Sequence, residues 1–215
     1  MAIASKAETI GVIIISLAVG VIFHYFFSHL PKNEKKKYTD ELISQLINFI
    51  LFIWVGKILL SVSLFVQDPL AVLAYPGDSN AFYLAVLFTA IIIIYKTLRK
   101  NLNLFVFAEA LTYVFLISLF IYEFLQLVLK DDIYSLGYLI LSGILLIIFF
   151  FIHDRIKLFS LLMMILTGWT VGVLILNYIY PFVAVFGYLL GWGFIITFFI
   201  FCGAILILYE KKGRS

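Results

Sequence analysis

The chain has 215 residues, of which 65% are hydrophobic and 13% charged, with a formal charge of +3. Soluble domains run nearer ~45–50% apolar and ~25% charged. This composition therefore belongs to a membrane protein, and it leaves no stretch long enough for a soluble catalytic or nucleic-acid-binding domain. The single cysteine, Cys202, falls inside an apolar run, which excludes an internal disulfide and a cysteine-based metal site.

Seven apolar runs approach the ~20 residues needed to cross a hydrocarbon core. They cover 9–30, 43–66, 81–98, 104–129, 136–152, 158–180 and 182–209. All are expected to be helices, because lipid offers the backbone no hydrogen bonds. The expectation is thus an all-α, polytopic bundle forming one integral membrane domain over 1–215. The first run is too long for a signal peptide and lacks a basic leader and a small-residue cleavage site, so it reads as an uncleaved span. Its Ser16-Leu-Ala-Val-Gly20 spacing suits close helix contact.

The twelve-residue connection PKNEKKKYTDEL leads into the second span, which carries Asn48 and Lys57. An ionisable group deep in a span costs ~2.5–3.5 kcal/mol on insertion scales, so Lys57 is a functional suspect. Gln45 and Asn48 share one side of this helix, with Lys57 and Ser61 nearly opposite. Either the helix is buried all round or Gly56 lets it bend.

The connection QDPLAVLAYPGDSN has an apolar middle too short to cross, suited to an interfacial or re-entrant piece. Tyr75-Pro76-Gly77-Asp78 suits a type II turn, with Ser79 or Asn80 capping the third span. The plainer reading of this segment is an amphipathic linker; the functional one makes Asp68, Tyr75, Pro76 and Asp78 a lid over an outward-facing cavity.

In the fourth span Glu109, Thr112, Leu116, Leu119, Glu123 and Gln126 recur at helical spacing and share a face, with Phe107, Val114, Ile121 and Leu125 opposite, toward lipid. Lys57 lies ~21 Å along its span, Glu123 ~28 Å and Glu109 ~7 Å, at the α-helical rise. Lys57 is therefore expected to pair with Glu123, its long side chain covering the difference in depth. Glu109 would form a second site near the other mouth.

Ser160, Thr167, Thr170 and Asn177 form a stripe on the sixth span, and Pro181 separates it from the seventh. Gly168-Trp-Thr-Val-Gly172 and Gly187-Tyr-Leu-Leu-Gly191 have the small-residue spacing of helix contacts, serving internal packing more often than a dimer face. His24, His29 and His153 sit at helix ends, and His24 and His29, five apart, do not share a helix face; no carboxylate or thiol cluster is expected beside them. No metal or cofactor role follows from them.

Of the 15 Lys and Arg residues, twelve fall on connections at one end and only Lys6 and Lys130 at the other, Lys57 being the fifteenth. With seven spans this puts the N-terminus outside and the C-terminus in the cytoplasm of a plasma membrane. The basic face serves topology first and anionic lipid headgroups second. Rich use of Ile, Phe, Lys and Tyr suits a prokaryotic source.

Two Tyr-Pro pairs, Tyr75-Pro76 and Tyr180-Pro181, occupy equivalent connections if the spans divide as three, one and three, the parallel-repeat plan of some transporters. The reading is a small-solute or ion transporter or channel. Its polar site would lie between spans two, four and six and comprise Lys57, Glu123, Glu109, Gln126, Asn48, Thr170 and Asn177. A non-catalytic subunit whose buried charges hold a membrane protein partner is the alternative, and an intramembrane transferase the third. No Gly-x-Ser-x-Gly or His-Glu-x-x-His motif argues for catalysis.

Overall fold

In hydrocarbon a backbone that fails to satisfy its own polar groups is penalised by several kcal/mol per group, so long apolar runs close into helices. The computed structural model describes residues 2–28, 30–74, 78–100 and 102–214. Its helices are α1 (Ala2–Phe27), α2 (Lys32–Leu60), α3 (Val62–Gln67), α4 (Pro69–Ala74), α5 (Ser79–Arg99), α6 (Leu104–Lys130), α7 (Tyr134–Ile152), α8 (Leu158–Ile179) and α9 (Trp192–Arg214). A two-stranded hairpin, β1 (Ala184–Val185) and β2 (Tyr188–Leu189), separates α8 from α9. Seven of the helices are long and apolar enough to cross a membrane: α1, α2 and α5 to α9. Their outward faces carry exposed Ile14, Ile22, Ile47, Ile91, Ile147 and Ile200, a surface that water would reject. The protein is a multi-pass integral membrane protein.

α6 is the most buried of the seven and forms the axis of the bundle, packed against α1, α7, α2 and α8. Phe107 and Val114, expected on a lipid face, are 1% exposed, because neighbours surround α6 on nearly every side. Lipid meets α6 along Leu111, Phe124, Val128 and Leu129. Small residues set the closest approaches. Gly20 of α1 lies against Val114 and Ser118, and Gly168 and Gly172 of α8 lie against Leu145 and Leu141 of α7. Both spacings therefore serve internal packing.

α2 starts earlier than expected. The polar connection after α1 is itself helical from Lys32, so α2 begins about three turns before residue 43. Contacts at both ends fix α2 to α5. At one end Lys96 Nζ lies 2.7 Å from Glu41 Oε1, which also accepts from Gln45 Nε2 at 2.6 Å. At the other, the backbone of Ala81 approaches Gly56 so closely that a Cβ there would stand 3.0 Å from the Ala81 carbonyl oxygen. Gly56 thus provides close packing within an unbroken helix. The break comes at Ser61 (φ −134°), five residues before the expected end of the span, and the chain turns into α3 and α4. PLAVLA is a short helix, with Val72 4% exposed. Asp78, rather than Ser79 or Asn80, caps α5, accepting from the Asn80 backbone N–H at 3.4 Å. The expected turn residues Tyr75, Pro76 and Gly77 and the residue His29 lie outside the described residues.

The seventh span begins at Trp192, ten residues later than expected. In place of a helix over 182–191, the chain makes a hairpin in which Ala184 faces Leu189 and Val185 faces Tyr188. The two turn residues, Phe186 (φ 50°) and Gly187 (φ 81°), both take positive φ, the requirement of a tight type I′ connection. Gly187-x-x-x-Gly191 therefore marks a turn and not a helix contact. Phe186 holds this left-handed conformation while its ring packs edge-on to Phe115 and Tyr122, at centroid distances of 6.2 and 5.3 Å.

Candidate functional site

Non-helical backbone at the end of a membrane bundle is tolerated where protein buries it or where it borders a cavity. The hairpin does both. Val183 and Val185 point inward at 1% and 4% exposure, and the Leu190 N–H donates to the Val183 carbonyl at 2.8 Å. Tyr188 packs at a tilt on Phe82, Tyr83 stacks on Phe194, and the Tyr83 hydroxyl accepts from the Gly191 N–H at 2.8 Å. The hairpin is thereby tied to α5 and α9 across the mouth of the bundle.

Beneath it lies a cavity of about 320 Å³. Its walls come from Thr9 of α1, the Tyr122–Lys130 end of α6, Asp132, the first turns of α7 and the hairpin residues Phe182 to Leu189. Glu123 lies in this wall and is 4% exposed. One turn on, Gln126 donates from Nε2 to the Tyr122 hydroxyl at 2.7 Å. At the rim Lys130 Nζ donates to Thr9 Oγ1 at 3.0 Å. Asp131 takes a left-handed conformation (φ 49°), ending α6 and reversing the chain. Asp132 then organises the start of α7, its carboxylate accepting from the Tyr134 N–H at 3.1 Å and the Ser135 hydroxyl at 3.3 Å. Tyr138 completes the wall, its hydroxyl donating to the Phe182 carbonyl at 3.4 Å and so joining α7 to the hairpin.

A second cluster stands at the opposite, lysine-rich end. Glu109 of α6 and His153, just past α7, meet at 2.7 Å through Oε1 and Nε2, and His153 Nδ1 lies 2.9 Å from Asp154 Oδ1. With a carboxylate on each ring nitrogen, His153 is arranged to hold two protons. Burial works against the charge. The hydrogen bonds to Asp154 and Glu109, and the charges of both, outweigh it and hold the His153 pKa above its ordinary value. His24, 2% exposed, shares with them a cavity of about 20 Å³, room for a single water, and lies 3.3 Å from the Thr39 hydroxyl. Among the described residues no group of three or more His, Cys, Asp and Glu side chains is disposed to hold a metal ion.

Of the residues singled out in the sequence, the structure brings Glu123 and Gln126 to one cavity. Glu109 belongs to the separate histidine cluster. Lys57 is half-buried in the last turn of α2, which packs mainly on α5, and it does not line the Glu123 cavity. Asn48 lies half-buried on α2 and Asn177 half-buried on α8. Thr170 is 5% exposed, but its hydroxyl donates back to the Leu166 carbonyl of its own helix at 2.8 Å. The polar cavity thus lies between the first, fourth and fifth spans and the hairpin. Asp68 and Asp78 are exposed, outside the cavity lining, and Tyr75 and Pro76 fall outside the described residues.

Sequence reasoning missed Tyr122, Ser135, Tyr138 and the hairpin. One legible signal was the alternation Val183-Ala184-Val185 followed by Phe-Gly, a strand pattern running into a turn. It also missed the carboxylates around His153: Asp154 adjoins it in the chain, but Glu109, which completes the pair, is 44 residues away. No protein-family model, curated protein or solved structure matches this chain.

Proposed function

We propose that the protein is a small-solute transporter of the plasma membrane, with Glu123 as its loading carboxylate. In this reading the cavity end faces outward and the lysine-rich end the cytoplasm, an orientation supported by the distribution of basic residues. One observation carries the reading: a carboxylate 4% exposed within a membrane span lines a cavity of about 320 Å³, a volume within the range of ligand pockets. Further along α6, Leu116 and Leu119 are 0% and 1% exposed, packing that suits a cavity reached from one end, as alternating access would use. The hairpin, tied to α5, α7 and α9, would serve as its gate.

The test is flux in proteoliposomes carrying an internal pH dye, under an imposed proton gradient and with a panel of small polar and charged solutes. Solute-dependent proton movement is expected for the native chain and lost in Glu123→Gln. Equal flux in the variant, or no flux with any solute, refutes the proposal. Lys57→Met tests the lysine separately, and unchanged flux there removes it from the mechanism.

A further inference from the structure

The cavity's charge and walls point to the chemistry of its occupant. Glu123 is the buried charge of the cavity, and the charge bearing most directly on it is another anion, Asp132. The Ser135 hydroxyl stands between the two carboxylates, 3.3 Å from Asp132 Oδ2 and within hydrogen-bonding reach of Glu123. Among the described residues the cation of the lining is Lys130, which stands seven residues further along α6, roughly 10 Å at the helical rise, and is engaged at the rim with Thr9. A buried carboxylate is tolerated at such depth only when a proton or a cation compensates it. Around it stand the rings of Tyr122, Tyr134, Tyr138 and Phe182. Aromatic faces hold cations by their quadrupole, most strongly where water is excluded, and they bury an apolar body equally well.

Resting on the transport reading, we infer that the solute is a small organic ammonium ion, its charge on Glu123 and its apolar part among the tyrosines. A zwitterion fits less well, because the rim lysine stands about two turns from the carboxylate and is already engaged with Thr9. Cation and proton compete for the same oxygens. Entry of one ammonium releases one proton from a protonated Glu123, so the exchange balances charge. The aromatic wall also separates this ligand from a bare metal ion, which would need several oxygen donors in a tight shell and finds Glu123 and Asp132 as its carboxylates.

Binding is measured on the full chain in lipid nanodiscs by calorimetry, which reads the site independently of flux. The probes are phenethylammonium and tetramethylammonium, with phenethyl alcohol, phenylacetate, phenylalanine and sodium as comparisons. Both ammonium ions are expected to bind, with affinity falling as pH is lowered. Glu123→Gln is expected to weaken them by about tenfold or more, the worth of one charge-assisted contact, and Glu123→Asp to restore part. Tyr138→Phe keeps the ring and is expected to retain most of the affinity. Binding of phenylalanine but not of the ammonium ions overturns the cation assignment and leaves a transporter of zwitterions. Binding of the alcohol as tightly as the ammonium overturns the role of charge. No binding by any probe in a monodisperse native preparation overturns this inference, whereas ammonium binding without flux overturns the transport reading alone.

Discussion

The close approach of α1 to the axial helix at Gly20 gives the sharpest stability prediction. A Cβ added to Gly20 would collide with the Ser118 hydroxyl and stand 2.8 Å from the Val114 carbonyl oxygen, where α1 meets α6. The hydroxyl can rotate away, but the carbonyl belongs to the axial helix and cannot. Gly20→Ala therefore forces α1 outward, an overpacking that costs ~1–3 kcal/mol, near the upper end because the obstacle is backbone. Alanine's better helix propensity returns ~1 kcal/mol, so the net loss is about 1–2 kcal/mol. On the same helix a Cβ added to Gly11 would meet nothing within 4 Å, so Gly11→Ala keeps the propensity gain of ~1 kcal/mol alone. The two variants differ from the native chain by one methyl each, yet their unfolding free energies should separate by roughly 2–3 kcal/mol. Thermal unfolding and graded unfolding in denaturing detergent, both from mild micelles, read the order directly. Ser118→Ala in the Gly20→Ala background should recover part of the loss and not all of it. A Gly20→Ala protein as stable as Gly11→Ala would refute the close approach of α1 and α6.

The histidine cluster adds a pH dependence. A folded pKa raised above 6.5 makes protonated His153 stabilising below that value, and the stabilisation disappears as pH rises through the raised folded pKa. Glu109→Gln should therefore cost about 1 kcal/mol near pH 6, after allowance for partial exposure, and the gap from native should close in alkaline buffer. A gap that widens with pH would contradict the arrangement. Gly187→Ala places a side chain at φ 81° and 3.2 Å from the Tyr122 hydroxyl. It should lower stability by ~1–2 kcal/mol, with Gly187→Asn milder, as thermal unfolding would show. Tyr122→Phe leaves the Gln126 amide without its 2.7 Å partner, and should cost ~1–3 kcal/mol in the same assay.

Hydropathy, period and charge placement made seven helices legible from the residues alone, because a lipid solvent imposes length and backbone satisfaction on every span independently of its neighbours. Glu123 and Gln126 could be assigned to one wall for the same reason: positions three apart on a helix share a face wherever that helix lies. Which helix stands beside that wall is a different kind of fact. Depth arithmetic favoured Lys57 as the partner of Glu123, but depth says nothing about azimuth, and α2 packs on α5 through Gly56 and Glu41. Phe107 and Val114 looked suited to lipid, since a buried apolar side chain and a lipid-facing one have the same composition; only the central place of α6 separates them. The meeting of Glu109 with His153, and the hairpin that roofs the cavity in place of a helical turn, likewise arise from contacts between distant segments. Local sequence settled what each segment must be in hydrocarbon. Packing settled which polar groups share a cavity, because close approach depends on the shapes of two helices at once.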